Sequence, residues 1–141
     1  MGTLIRRNSN AELVTEILDE TLKGKALQII VEFLRTKAIE KVRVEFGFVI
    51  ARDIAGENRG QDKILKLADL GQFIRDGIDE GTIEWNGSSD FRFCPVDTKL
   101  EFLLCNDGDL HFASTEPSLR AAVGDALREG GIKIYDSCRL V

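Results

Sequence analysis

The chain has 141 residues, 43% of them apolar and 30% charged, with a net charge of −5 and two prolines. This composition lies in the ordinary globular range and excludes collagen-like, Pro-rich and disordered classes. A chain of this length buries about 68% of the surface that it exposes when unfolded, so it is expected to fold as one domain, residues 1–141, without a disulfide or metal.

No apolar run approaches the length of a bilayer span, so no membrane association is expected. Met1-Gly2-Thr3-Leu4-Ile5-Arg6-Arg7 lacks the charge-then-apolar order of a secretory leader. Gly2 lacks the Ser or Thr that a myristoylation motif places at the sixth position, which here is Arg6. Cys94, Cys105 and Cys138 form an odd, unpatterned set, which fits a reducing compartment. The expected location is cytoplasmic.

In chain order, Asn8-Ser9-Asn10 offers N-cap candidates before Leu13, Val14, Ile17, Leu18 and Leu22. Leu27, Ile30, Val31 and Leu34 continue the helical spacing past Gly24. Residues 10–35 therefore read as one kinked helix or two short ones. From Val42 to Ala51 the period changes to two, which predicts a long strand. Residues 55–62 lack periodicity and predict an exposed loop. Ile64, Leu65 and Leu67 predict a short strand or the lead into a helix capped by Asp69 and ended by Gly81.

A meander of strands is expected next, at 82–85, 90–96, 99–105 and 110–113. Its turns are Asn86-Gly87-Ser88-Ser89, Asp97-Thr98 and Asp107-Gly108. A two-residue turn at Asp97-Thr98 pairs Phe93 with Phe102 and Phe91 with Leu104. The same reasoning at Asp107-Gly108 pairs Cys105 with Leu110, Leu104 with His111 and Leu103 with Phe112. Ser114 or Thr115 caps a final helix with Pro117 in its first turn, and Gly130-Gly131 ends it. Ile132, Ile134 and Tyr135 begin a last strand, expected parallel to 110–113. The fold class is α+β, with a mostly antiparallel sheet of five to six strands, an N-terminal helical segment and two later helices packed on it.

Candidate chemistry is sparse. His111 is the single histidine, and a base needs a positioned partner set. Asp107, Asp109 and His111 form D-x-D-x-H without the EF-hand glutamate, and the cysteines lack C-x-x-C spacing, so no metal site is expected. Gly56–Gly60 lacks the lysine and hydroxyl of a phosphate loop, and the nearby Arg52, Arg59, Lys63 and Lys66 are interleaved with acids. No cofactor and no enzymatic activity are expected.

Charge is the stronger signal. Residues 1–66 carry a net +2 and residues 67–141 a net −7, with nine acids against Arg92 and Lys99 between 76 and 109. Such a field repels nucleic acid and attracts basic proteins. The expected partner surface comprises Asp79, Glu80, Glu84, Asp90, Asp107 and Asp109, with Trp85 as an anchor. Turn chemistry is the competing explanation for several of these acids.

Asn86-Gly87-Ser88-Ser89-Asp90-Phe91-Arg92-Phe93 and Leu104-Cys105-Asn106-Asp107-Gly108-Asp109-Leu110-His111-Phe112 resemble segments of small bacterial immunity proteins. Those proteins neutralise toxins in the cytosol by binding them. The resemblance implies an acidic binder of a basic partner, often a nuclease domain, and carries no functional residue with it. The expected function is thus a non-enzymatic protein-binding module, immunity-like or antitoxin-like. The alternative is a small ligand-binding protein or enzyme with a pocket near Asp109 and His111.

Overall fold

The computed structural model describes residues 12–46, 63–83, 85, 91–105 and 108–136. Among these, seven strands form one sheet in the order β3-β2-β4-β5-β6-β1-β7, every neighbouring pair antiparallel. The strands are β1 (Glu12–Thr15), β2 (Lys41–Phe46), β3 (Lys63–Lys66), β4 (Phe91–Pro95), β5 (Leu100–Leu104), β6 (Leu110–Ser114) and β7 (Ile134–Asp136). Three helices accompany them: α1 (Glu20–Thr36), α2 (Leu67–Glu80) and α3 (Pro117–Glu129). The α+β class is as expected, and the sheet is wider than five to six strands.

The first departure is at the N-terminal segment. Residues 12–15 are a strand, and the helix starts only after Asp19, whose carboxylate accepts the Leu22 N–H at 2.8 Å. Leu13 and Val14 fit helical and alternating patterns equally, and long-range pairing decides between them. β1 lies between β6 and β7, with Val14 opposite His111 on one side and Tyr135 on the other. β7 therefore pairs with β1 rather than with β6. The Asn8-Ser9-Asn10 caps lie outside the described residues. Gly24 does not divide α1, which runs unbroken from Glu20 to Thr36 because its buried face offsets the cost of one glycine.

β3 runs directly into α2, which has Lys66 at its N-cap position with no side-chain cap. Asp69 sits inside the first turn, not at the cap, where its charge still favours the positive helix end. Gly81 ends the helix in the left-handed region at φ 86°. No strand follows at Thr82 and Ile83. Both amides donate to the Gly77 carbonyl, at 2.9 and 3.0 Å, and so do not enter a ladder. The expected 47–51 extension of β2 and the 55–62 loop lie outside the described residues. At the last helix the N-cap position belongs to Glu116, and Ser114 Oγ accepts its N–H at 3.0 Å.

The β4–β5 register is as expected, with Phe93 opposite Phe102 and Phe91 opposite Leu104. The β5–β6 register differs by one residue: Leu104 faces Leu110, Leu103 faces His111 and Phe102 faces Phe112. The cause is the connection. Cys105 N–H donates to the Asp109 carbonyl at 3.1 Å, and Gly108, at φ 92°, donates to the Cys105 carbonyl at 3.0 Å. Three residues join the strands instead of two, with glycine in the left-handed position that such a hairpin requires.

This register puts buried residues opposite buried residues. Phe91, Phe93, Phe102 and Phe112 form a ladder on one face, with Phe93 and Phe102 stacked at 4.8 Å. The helices cover that face with Leu27, Ile30, Leu34, Leu70, Ile74 and Leu127, in one continuous core. The opposite face carries Arg43, Glu45, Arg92, Cys94, Glu101 and His111, partly or largely exposed. Phe102→Ala is expected to cost about 3–5 kcal/mol in denaturant unfolding. Ile64→Ala, at an exposed position of edge strand β3, should stay within about 0.5 kcal/mol.

Candidate functional site

The short connection between β5 and β6 assembles the densest group of chemically capable side chains among the described residues. Asp109 stands opposite Cys105 through their backbone bond, and His111 follows Asp109 by one pleat, so the three share the face opposite the helices. β1 completes the group. Its Glu12 reaches His111 across the strand pair, with Oε2 2.9 Å from Nδ1. The Sγ of Cys105, a carboxylate oxygen of Asp109 and a ring nitrogen of His111 all lie within 4.8 Å of one another.

The backbone around this group is held from several sides. The Asp109 carbonyl accepts both the Cys105 N–H and the Trp85 indole N–H, the latter at 2.8 Å. The Gly108 carbonyl accepts the Leu18 N–H at 3.0 Å. The Leu110 N–H donates to Thr15 Oγ1 at 3.0 Å, which ties β6 to the end of β1. Trp85 is itself fixed in the core, with the buried Lys23 ammonium 5.6 Å from its ring centroid.

His111 lies between two carboxylates. Asp109 Oδ1 is 3.3 Å from Nε2. That is ion-pair distance, but the atoms are misaligned, and Oδ1 is a buried oxygen without a hydrogen bond. Asp109 contributes most to holding the imidazolium and Glu12 next, against the opposing effect of burial. Together they push the His111 pKa up to about 9. Cys94, elsewhere on the same face, has its thiol pKa raised by burial first and by Glu101 next, so it is a poor nucleophile at neutral pH.

Among the described residues expected to form an acidic partner surface, two are buried and two are exposed. Trp85 is 3% exposed and belongs to the core, so it presents no surface anchor. Asp109 is 8% exposed and faces His111 rather than solvent. Asp79 and Glu80 are exposed on the last turn of α2. Glu84, Asp90 and Asp107 lie outside the described residues. His111 was expected beside Phe91 and Leu104; the one-residue register difference moves it to the other face, opposite Leu103.

Two members of the group escape sequence reasoning. Glu12 meets His111 across 99 positions of sequence, and no local pattern announces that contact. Cys105 could have been found, because a three-residue hairpin ending at Gly108 sets it opposite Asp109. Considering D-x-D-x-H and the cysteines separately hides the grouping.

No protein-family model, curated protein or solved structure matches the chain.

The His111 pKa is raised in the folded state, so its stabilising contribution is complete below the unfolded value of 6.5 and is lost as pH rises through about 9. Solvent screening of this partly exposed group brings the expected loss to about 1–2 kcal/mol. Urea unfolding of the native chain across that window, beside His111→Gln, checks the sign: the native chain should weaken and the variant should show a flatter profile.

Proposed function

We propose that this protein is a non-enzymatic protein-binding module that recognises a basic partner, in the manner of an immunity or antitoxin-like inhibitor. The observation that carries the reading is the last turn of α2. Ile78 is 42% exposed there, beside the exposed Asp79 and Glu80. Among the described residues, neither carboxylate has a hydrogen-bond or ion-pair partner. The turn contains no basic residue. Acids at a helix C-terminus oppose the macrodipole, so these two are not explained by capping or turn chemistry. An apolar side chain with an exposed acidic border is suited to a partner that brings both an apolar contact and cations.

The charge of −7 over residues 67–141 supports the same reading, since such a field speeds encounter with a basic surface. The resemblance of two short strings to immunity proteins agrees with it. The proposal includes a reducing, cytosolic setting, which the thiols of Cys94 and Cys105 support. Ile78 takes the anchoring role that sequence reasoning assigned to Trp85. The alternative of a ligand site at Asp109 and His111 has separate support in the buried Asp109 oxygen.

The test begins with a partner isolated on the native chain and identified. Association rates are then measured at low and high salt for the native chain and for Asp79→Asn with Glu80→Gln. Steering predicts about a tenfold slowing in the variant and a similar slowing of the native chain by salt. Ile78→Ser should instead speed dissociation. Rates indifferent to salt and to all three substitutions would contradict the reading.

A further inference from the structure

We infer that Cys105, Asp109 and His111 form a binding site for one divalent transition-metal ion of zinc's class, with Glu12 orienting the imidazole from behind. The donor atoms already converge within 4.8 Å. Two details of the Asp109–His111 contact point to a cation between them.

The first is the Asp109 carboxylate. Its Oδ1 is buried and has no hydrogen bond, although the side chain carries a full acceptor capacity. Its nearest cationic contact is the His111 ring at 3.3 Å, and a metal ion between the two would satisfy it more fully. The second is the spacing. Asp109 Oδ1 and His111 Nε2 are 3.3 Å apart but misaligned as donor and acceptor. Two ligands about 2.0–2.1 Å from a tetrahedral ion stand about 3.3 Å apart, which is the same edge length.

Glu12 supplies what a metal-bound histidine ordinarily has on its far nitrogen. Its Oε2 at 2.9 Å fixes the proton on Nδ1 and leaves Nε2 to face the ion. A thiolate, an imidazole and a carboxylate form a mixed set. Calcium and magnesium take oxygen ligands, whereas zinc accepts all three kinds. Metal entry replaces the thiol proton of Cys105 and the Nε2 proton of His111, and both leave to solvent. Three protein ligands leave the fourth tetrahedral position to water or to an incoming group.

The ligands also stand on a prepared frame. The Cys105 to Asp109 backbone bond sets two of them opposite each other, and the Trp85 indole holds the Asp109 carbonyl at 2.8 Å. This site does not depend on the acidic end of α2, and either could exist without the other.

The test is a titration of the purified, metal-stripped full chain with Co²⁺, followed by Zn²⁺. One equivalent of Co²⁺ should produce a thiolate charge-transfer band in the near ultraviolet with tetrahedral bands in the visible, and Zn²⁺ should bleach both. Cys105→Ser should lose the charge-transfer band, while Cys94→Ser keeps it. Asp109→Asn should weaken binding at least tenfold. Glu12→Gln, at a positioning residue, should weaken it about 10–100-fold while retaining the band shape. Circular dichroism checks that each variant is folded; if Cys105→Ser is not, Asp109→Asn and Glu12→Gln decide. Absence of the bands in the native chain, a charge-transfer band that persists in Cys105→Ser, or an affinity unchanged in Asp109→Asn and Glu12→Gln would overturn the site.

Discussion

The seating of β1 between β6 and β7 is the constraint on which the rest of this structure depends. Without it the sheet would divide, because β7 pairs with the remainder only through β1. The pairing brings residues 12–15 beside residues about 100 positions later, and its loop-closure entropy is recovered only through the contacts made there. Leu13 lies against the core, Thr15 accepts the Leu110 amide, and Glu12 meets His111. One four-residue strand therefore connects the stability of the sheet edge to the chemistry of the face opposite the helices.

The two faces of the sheet divide the work. The covered face is an apolar ladder of phenylalanines under three helices, and its energetics follow from burial and packing. The face opposite the helices carries charged pairs, Arg43 with Glu45 at 3.9 Å and Arg92 with Glu101 at 3.6 Å. Such exposed pairs contribute little to stability. The cluster at Asp109 and His111 differs from them because it is partly desolvated and because its backbone is held by Trp85, Leu18 and Cys105. Trp85 joins the two faces: its ring lies in the core, and its N–H fixes a residue whose side chain faces the other way.

Much of the fold was legible in the sequence where one period dominates. The alternation in 91–95 and 100–104, together with the Asp97-Thr98 turn, was enough to set their register. Gly81 and Pro117 marked a helix end and a helix start for clear backbone reasons. The failures also have physical causes. Four residues at 12–15 cannot distinguish a strand from a helix by periodicity, and tertiary pairing decided. Asp107-Gly108 resembles a two-residue turn, but the glycine closes a three-residue connection, and that single extra residue transfers Leu110, His111 and Phe112 to opposite faces from those expected. Asp79 and Glu80 are exposed acids as expected, whereas Asp109 is buried, set opposite Cys105 by the three-residue connection. Glu12 could not be found at all without the sheet order.

The central claim is that β1 pairing assembles a charge-coupled Glu12–His111 contact. A double-mutant cycle with Glu12→Gln and His111→Gln measures that coupling most directly, because effects of each residue on other neighbours cancel. A coupling on the order of 1 kcal/mol is expected at neutral pH, where the imidazole is charged, and a smaller one above the His111 pKa of about 9, where only the Nδ1–H hydrogen bond is left. Additive effects at neutral pH, or a coupling unchanged at high pH, would contradict it.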